Sequence, residues 1–329
     1  MKRASVWFLT LVRLPLAMSV LAWICPQPVN AQSRQTVDRS RPAKEYLGRW
    51  DLTVRTPTQD RPSWIEISDD HGRMEGLMIG VWGHATPTGE IRVRNGEFEL
   101  AVPKDEGFPD GTQLHGRLAG GGLAGTAVTP DGASWPWIGH RAPALERKGA
   151  PRWGKPIRLF DGKDLAGWTF ADPTQASAWG VEGDTLVKRG RGSEIVTTSR
   201  FQDFKLHLEF NCGAMANSGV YLRGRYEVQI ETDAAQEPPN QRMGAIYGFI
   251  APQPALPRTR RGWQSYDITL VGRTVTVVHD GSTIIDHKEI PGITGGALNT
   301  DEGSPGPIYL QGAEDGRVAF RNIVITPAE

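Results

Sequence analysis

Three short segments in the C-terminal half alternate polar and apolar residues so that the polar ones collect on one side. In Phe204-Lys205-Leu206-His207-Leu208-Glu209-Phe210-Asn211, one parity is Phe204, Leu206, Leu208 and Phe210, and the other is Lys205, His207, Glu209 and Asn211. In Tyr226-Glu227-Val228-Gln229-Ile230-Glu231 the second parity is Glu227, Gln229 and Glu231, and in Gly219-Val220-Tyr221-Leu222-Arg223 it includes Tyr221 and Arg223. Side chains alternate faces along a β-strand, so the apolar sets should be buried and the polar sets should share the opposite face of one sheet. A three-residue turn at Gly224-Arg225-Tyr226 keeps the last two parities consistent, and it sets Arg223 beside Glu227 and Tyr221 beside Gln229. Carboxylates, amides, one guanidinium and aromatics on one face are the inventory for holding a sugar, and paired carboxylates suit acid/base chemistry. A merely solvated sheet face shows the same period. The long Gly/Pro-rich segments from Thr232 to Arg261 and from Gly292 to Pro307 favour a groove over that reading, because structural connections are usually shorter.

Other constellations are weak. The seven His residues show no HxH or HExxH spacing, and His279 and His287 straddle a hairpin as solvent-facing residues would. Gly120-Gly121-Gly122 precedes no helix and is no phosphate loop. There is no GxSxG elbow. Lys+Arg and Asp+Glu both number 37 among 329 residues, so the basic excess of a generic nucleic-acid binder is missing.

The elements that must position these residues are strands. Gly (39), Pro (24) and Trp (11) are abundant, and no amphipathic helix of ten residues stands out. Lys2, Arg3 and Arg13, the apolar run Leu14 to Cys25 and the small residues of Val29-Asn30-Ala31 predict a secretory signal over residues 1–31. The product is expected to be secreted or periplasmic, off the membrane once cleaved, with Cys212 its only cysteine. Residues 32–44 read as a flexible polar leader. Residues 45–149 hold short β-rich runs separated by His71-Gly72, Asn95-Gly96 and Asp110-Gly111, which predicts a small antiparallel β-barrel. Residues 150–329 hold about ten further strands, including a hairpin at Asp280-Gly281, which predicts a two-sheet β-sandwich. The fold class is all-β.

The second module resembles the 3-keto-disaccharide hydrolase domain family, DUF1080, over residues ~155–326. The resemblance is carried by Leu159-Phe160-Asp161-Gly162-Lys163-Asp164-Leu165-Ala166-Gly167-Trp168, Asn217-Ser218-Gly219-Val220-Tyr221-Leu222-Arg223, Tyr226-Glu227-Val228-Gln229-Ile230, Gly244-Ala245-Ile246-Tyr247, Gly262-Trp263, Gly306-Pro307-Ile308-Tyr309-Leu310-Gln311 and Phe320-Arg321-Asn322-Ile323. It implies a concanavalin/laminin-G-like jelly roll. Similar domains commonly carry a His shortly after the Leu-Gln pair; here Gln311-Gly312-Ala313-Glu314-Asp315-Gly316 has none.

The resemblance implies a glycoside already oxidised to a ketone at C3. The C2 proton is then α to a carbonyl and the C1 leaving group β to it, so base-assisted elimination followed by hydration gives net hydrolysis. Glu227 and Glu231 are the base or acid candidates, with Glu209 third, and Arg223 is the candidate to steady the enolate. A divalent metal held by carboxylates is the alternative electrophile, and no other cofactor is implied. Gln229, Gln311, Tyr221 and Arg321 are candidates for sugar hydroxyls, and Tyr247 and Trp263 for stacking. Paired with Arg223, Glu227 should stay ionised and be the weaker base. Glu231, ~13 Å further along an extended strand and beside the loop that starts at Thr232, should be shielded and more basic. The competing reading is a non-catalytic carbohydrate-binding module.

Overall fold

The computed structural model describes residues 44–104, 106–213, 216–231, 237–256, 262–312 and 316–329. The expected signal (1–31), the expected leader up to residue 43 and the Ala313-Glu314-Asp315 segment after Gln311 lie outside them. Among the described residues the only helical turns are Lys44–Tyr46 and Pro239–Gln241.

The N-terminal part is built from β1 (Gly48–Arg55), β2 (Asp60–Asp70), β3 (Arg73–Ile79), β4 (Thr86–Glu90), β5 (Arg92–Arg94), β6 (Glu97–Ala101), β7 (Gln113–Ala119), β8 (Gly122–Val128) and β9 (Ser134–Arg141). They form one antiparallel, nearly closed sheet in the order β4-β3-β2-β1-β9-β8-β7-β6-β5. Arg94 pairs with Glu97 around Asn95-Gly96, whose φ values of 53° and 79° make the two-residue turn that matches strand twist. Trp50, Leu52, Val54, Ile65, Ile67, Phe98, Leu114 and Trp137 fill the barrel.

The C-terminal part contains β10 (Ile157–Arg158), β11 (Trp168–Phe170), β12 (Trp179–Glu182), β13 (Thr185–Arg189), β14 (Ile195–Thr197), β15 (Phe204–Cys212), β16 (Asn217–Leu222), β17 (Tyr226–Glu231), β18 (Gln264–Val271), β19 (Thr274–His279), β20 (Ser282–Glu289), β21 (Tyr309–Gln311) and β22 (Arg317–Pro327). One sheet runs β12-β13-β22-β15-β18-β19-β20, with β10 also on β22, and the other runs β11-β14-β21-β16-β17. The core between them holds Phe204, Leu206, Leu208 and Phe210 of β15, Val220 and Leu222 of β16, and Tyr226, Val228 and Ile230 of β17. The expected all-β architecture, barrel followed by sandwich, is the observed one.

The expectation that all three polar sets share one sheet is corrected. β15 pairs with β18 and β22, whereas β16 and β17 pair with each other in the opposite sheet. Alternation says which side of a strand is apolar, and a strand can turn that side to the core from either layer. Lys205, His207 and Glu209 therefore face outward from one sheet, and Glu227, Gln229 and Glu231 from the other. His279 is also buried, its Nε2 3.0 Å from Gln264 Oε1, and not solvent-facing.

Barrel and sandwich belong to one compact unit and are docked on each other. The residues of β1 that point out of the barrel reach the sandwich. Arg49 Nη1 donates to Glu289 Oε1 at 2.7 Å, and Thr53 and Thr300 hydroxyls meet at 3.3 Å. Trp64 and Ile79, also outward from the barrel, belong to the sandwich core, with Trp64 edge-on to Phe249 at 5.3 Å.

Candidate functional site

The β16–β17 register sets Tyr221 opposite Glu227, Gly219 opposite Gln229 and Asn217 opposite Glu231, and β21 adds Gln311 beside Gly219. The turn is Arg223-Gly224-Arg225, one residue earlier than expected, and its odd length preserves the parities. Arg223 takes the left-handed conformation, φ 55°, which removes its side chain from the strand alternation. Its buried guanidinium donates to Gly272 O at 2.6 Å and Tyr226 Oη at 3.2 Å instead of neighbouring Glu227. The expected Arg223–Glu227 pair does not form.

Glu227 is buried, and burial pushes its carboxyl up to about 8 against the lowering effect of the Tyr221 hydrogen bond. The expected ionised, weakened base is thus reversed: this carboxyl holds its proton more tightly than an ordinary one. Tyr221 Oη lies 2.9 Å from Glu227 Oε2 and 2.9 Å from Gly295 O. One phenolic proton serves one acceptor at a time. With Glu227 ionised, Tyr221 donates to it; with Glu227 protonated, the carboxyl can donate to Tyr221, which turns its own proton to Gly295. Burial and the nearby carboxylate hold Tyr221 well above the usual phenol range, so it remains a donor, and its ring stacks on Tyr309 at 4.4 Å.

The Glu227 backbone is held on both edges. Its N–H donates to Thr294 Oγ1, and its C=O accepts from Tyr247 N–H at 3.1 Å. The segment Gly244-Ala245-Ile246-Tyr247 runs along the outer edge of β17 and satisfies groups that an edge strand leaves open. That is how Tyr247 comes to stand beside Glu227.

Glu227, Tyr221, Gln229, Gln311, Tyr247 and Asn217 line a cavity of about 150 Å³, closed by Gly295 and Gly296 and by Trp82 and Gly83 from the barrel. Among the described residues no cationic side chain lines it. The amide oxygens of Gln229 and Gln311 have no hydrogen-bond partner among the described residues, although Gln229 Nε2 donates to Gln241 O at 3.3 Å. Such oxygens are acceptors for hydroxyl donors. The cavity can hold a polyhydroxylated ring over a carboxyl that exchanges protons near neutral pH.

The other expected site residues lie elsewhere. Glu231 is outside the cavity lining and is pushed up to about 7 by burial and by Glu237. Glu209 accepts from Arg321 Nε and Asn322 Nδ2, each at 2.7 Å, and the Arg321 guanidinium sits 4.0 Å over the Trp263 ring. Burial raises the Glu209 carboxyl, but these partners outweigh it and hold the group below its usual range. Glu209, Arg321 and Trp263 form a cluster of their own on the outer face of the eight-stranded sheet. Among the described residues no three His, Cys, Asp or Glu converge to hold a metal.

Asn217 was legible, since it shares the parity of Gly219 and Tyr221. Trp82 and Gly83 were not, because their place depends on how the barrel docks. Gly219 explains itself only in the structure: a Cβ there would overlap the Glu227 carboxyl. Gly219→Ala is expected to lower any Glu227-dependent turnover by ~100-fold or more, the scale of a misplaced acid/base group, while circular dichroism stays that of a β protein.

Residues 155–326 match the model of the 3-keto-alpha-glucoside-1,2-lyase-like domain, just over half of the chain. The chain belongs to this family. No curated protein matches it. Among solved structures, a candidate glycosyl hydrolase from Parabacteroides distasonis ATCC 8503 is 31% identical, with 52% of this chain and 82% of that one covered and a TM-score of 0.44. A second from the same organism is 24% identical over 52% of this chain and 98% of that one, TM-score 0.41. The carbohydrate binding module CBM66 from Bacillus subtilis is 16% identical over 51% and 99%, TM-score 0.34. Within the lyase-like domain lie Glu227, Tyr221, Gln229, Tyr247 and Gln311; Trp82 and Gly83 come from outside it.

Proposed function

We propose that the cavity cleaves 3-keto-glycosides by elimination, with Glu227 as the group that moves the proton, and that the protein does so after export. The observation that carries this reading is a buried carboxyl, pushed up to about 8, with no cationic partner among the described residues and open to a cavity of neutral donors and acceptors. A proton on carbon next to a ketone is only weakly acidic, and a carboxyl whose pKa is raised by burial is, once ionised, a stronger base toward it.

Ionised Glu227 takes the proton from C2, and the C–H electron pair moves into the C2–C3 bond as the C3 oxygen becomes an enolate. Tyr247 and Gln311 are the side chains that can donate to that oxygen. The enolate then re-forms the ketone, the C1–C2 double bond forms and the C1–O bond breaks. Glu227 now carries the proton and can pass it to the departing oxygen, so a single carboxyl serves as base and then acid. Water added across the double bond gives the hydrolysed sugar.

The test is incubation with 3-keto-glucosides and with their unoxidised parents, with product analysis at several pH values. Cleavage is expected only of the keto substrates. Its kcat/KM should rise about tenfold per pH unit below about 8 and then level. Equal cleavage of oxidised and unoxidised glycosides would remove the need for an α-proton and overturn the mechanism. Sugar binding without turnover would make the module a carbohydrate binder.

A further inference from the structure

We propose that the N-terminal barrel is the specificity element of this site, with Trp82 as the stacking platform for a ring-shaped leaving group. The proposal deepens the reading of the cavity as a glycoside-cleaving site and rests on it.

The cavity of about 150 Å³ is the size that accommodates one six-membered ring. If the reacting sugar lies over Glu227, its leaving group must pass out through the mouth. Trp82 stands there. It lines the cavity, yet 45% of its surface is exposed, which is unusual for the bulkiest apolar side chain. The Arg61 guanidinium lies 4.3 Å from the ring centroid and so covers one face. That cation–π contact holds the ring, and its 45% exposure leaves surface for a second ring to lie on.

The platform is built rigidly. The segment 80–86 that carries Trp82 is tied to Glu106, a carboxylate that is fully buried. Glu106 accepts from Gly80 N–H at 2.7 Å, His84 N–H at 3.4 Å and the Thr86 hydroxyl at 2.9 Å. The Trp82 N–H donates to Glu106 O at 3.3 Å. On the sandwich side, a Cβ on Gly295 would overlap Gly83 O, and one on Gly248 would strike His84. Both glycines let the barrel loop come into backbone contact with the loops around Glu227. A preorganised aromatic face loses little freedom when a ring lies on it. An indole face suits either the C–H face of a pyranose or the π face of an aryl group.

The experiment compares 3-keto-glucosides that differ only in their leaving group: a sugar, an aryl group and methyl. For Trp82→Ala, the preference in kcat/KM for ring over methyl leaving groups should fall about tenfold, chiefly through KM, the scale of one lost ring contact. Trp82→Phe should restore most of it. The sugar and aryl arms tell which ring the platform prefers. An unchanged ring-to-methyl ratio in Trp82→Ala would overturn the proposal, even with wild-type turnover intact. If the wild type turns over none of these substrates, the cleavage reading fails, and calorimetry with an unoxidised disaccharide decides the platform separately. Binding about tenfold weaker in Trp82→Ala supports it, and equal binding, or none by the wild type, overturns it.

Discussion

Glu227→Gln is expected to lower turnover of a 3-keto-glycoside by ~100- to 10,000-fold, the worth of a positioned acid/base group, and at the same time to stabilise the fold at alkaline pH. The two effects share one cause. The carboxyl is buried with no cation beside it among the described residues, so its pKa in the folded chain is about 8, far above the ~4.3 of an unfolded glutamate. Between those values the unfolded chain releases the proton and the folded chain keeps it. Native stability contributed by this group is therefore complete below about pH 4, falls as pH rises, and levels once the pH passes 8. Gln keeps the shape and does not titrate. Thermal melts of the two proteins should nearly coincide at pH 4.5 and separate toward pH 8.5, with the variant higher by at least ~2 °C, the shift for about 1 kcal/mol in a chain of this size. A gap that does not change with pH would mean that Glu227 is already ionised throughout. Glu231→Gln serves as the comparison: it removes a carboxyl pushed up to about 7 but outside the cavity, so it should show pH-dependent stabilisation with a much smaller loss of turnover.

What the sequence made legible follows from the period of a strand. Phe204, Leu206, Leu208, Val220, Leu222, Val228 and Ile230 are all buried, as their alternation requires. Glu227, Gln229 and Tyr221 share a face for the same reason, and Asn95-Gly96 and Asp280-Gly281 turn where they should. Strand partnership is not periodic. Nothing in Phe204–Cys212 says that its partners are residues 264–271 and 317–327 and not the hairpin that follows it. The register error has an equally local origin. Arg223 adopts φ 55°, a conformation that residue type alone would assign to Gly224. A one-residue displacement of the turn moved the guanidinium from beside Glu227 to Gly272 and Tyr226, and the electrostatics of the site changed sign. The barrel's part left one unread signal. Trp64 occupies the outward parity of β2 together with Glu66, where an isolated barrel gains nothing from an indole. Its place in the sandwich core explains it.

That docking leads to the second large effect. Arg273→Met is expected to destabilise the protein by ~3–5 kcal/mol, the cost of leaving a buried charge without its partner. Arg273 Nη1 donates to Glu302 Oε2 at 2.7 Å, and both residues are buried. Asp51, outward from β1 of the barrel, is buried beside them. Burial and the Glu302 charge push Asp51 up to about 8, and Arg273 and Arg225 oppose the rise. Glu302 is likewise raised by burial and held down by Arg273. Without Arg273 the two carboxyls face each other with one fewer cation, and both pKa values move further up. Since the unfolded chain ionises both freely, the deficit should grow with pH, from modest near pH 5 to its full size above 8. Urea unfolding at the two ends of that range measures it. Adding Glu302→Gln to Arg273→Met removes the stranded charge and should recover most of the loss; equal deficits in the single and double variants would show that packing, not charge, holds this seam. The seam also bears on chemistry. Glu302 lies on the same loop as Gly295 and Gly296 of the cavity, and Asp51 lies on the strand next to the one that carries Arg61. Loosening it should therefore weaken the contribution of Trp82 to leaving-group preference more than the proton transfer at Glu227, because of the supports of Glu227 only Thr294 lies on the Glu302 loop, whereas Tyr221 and Tyr247 lie outside it.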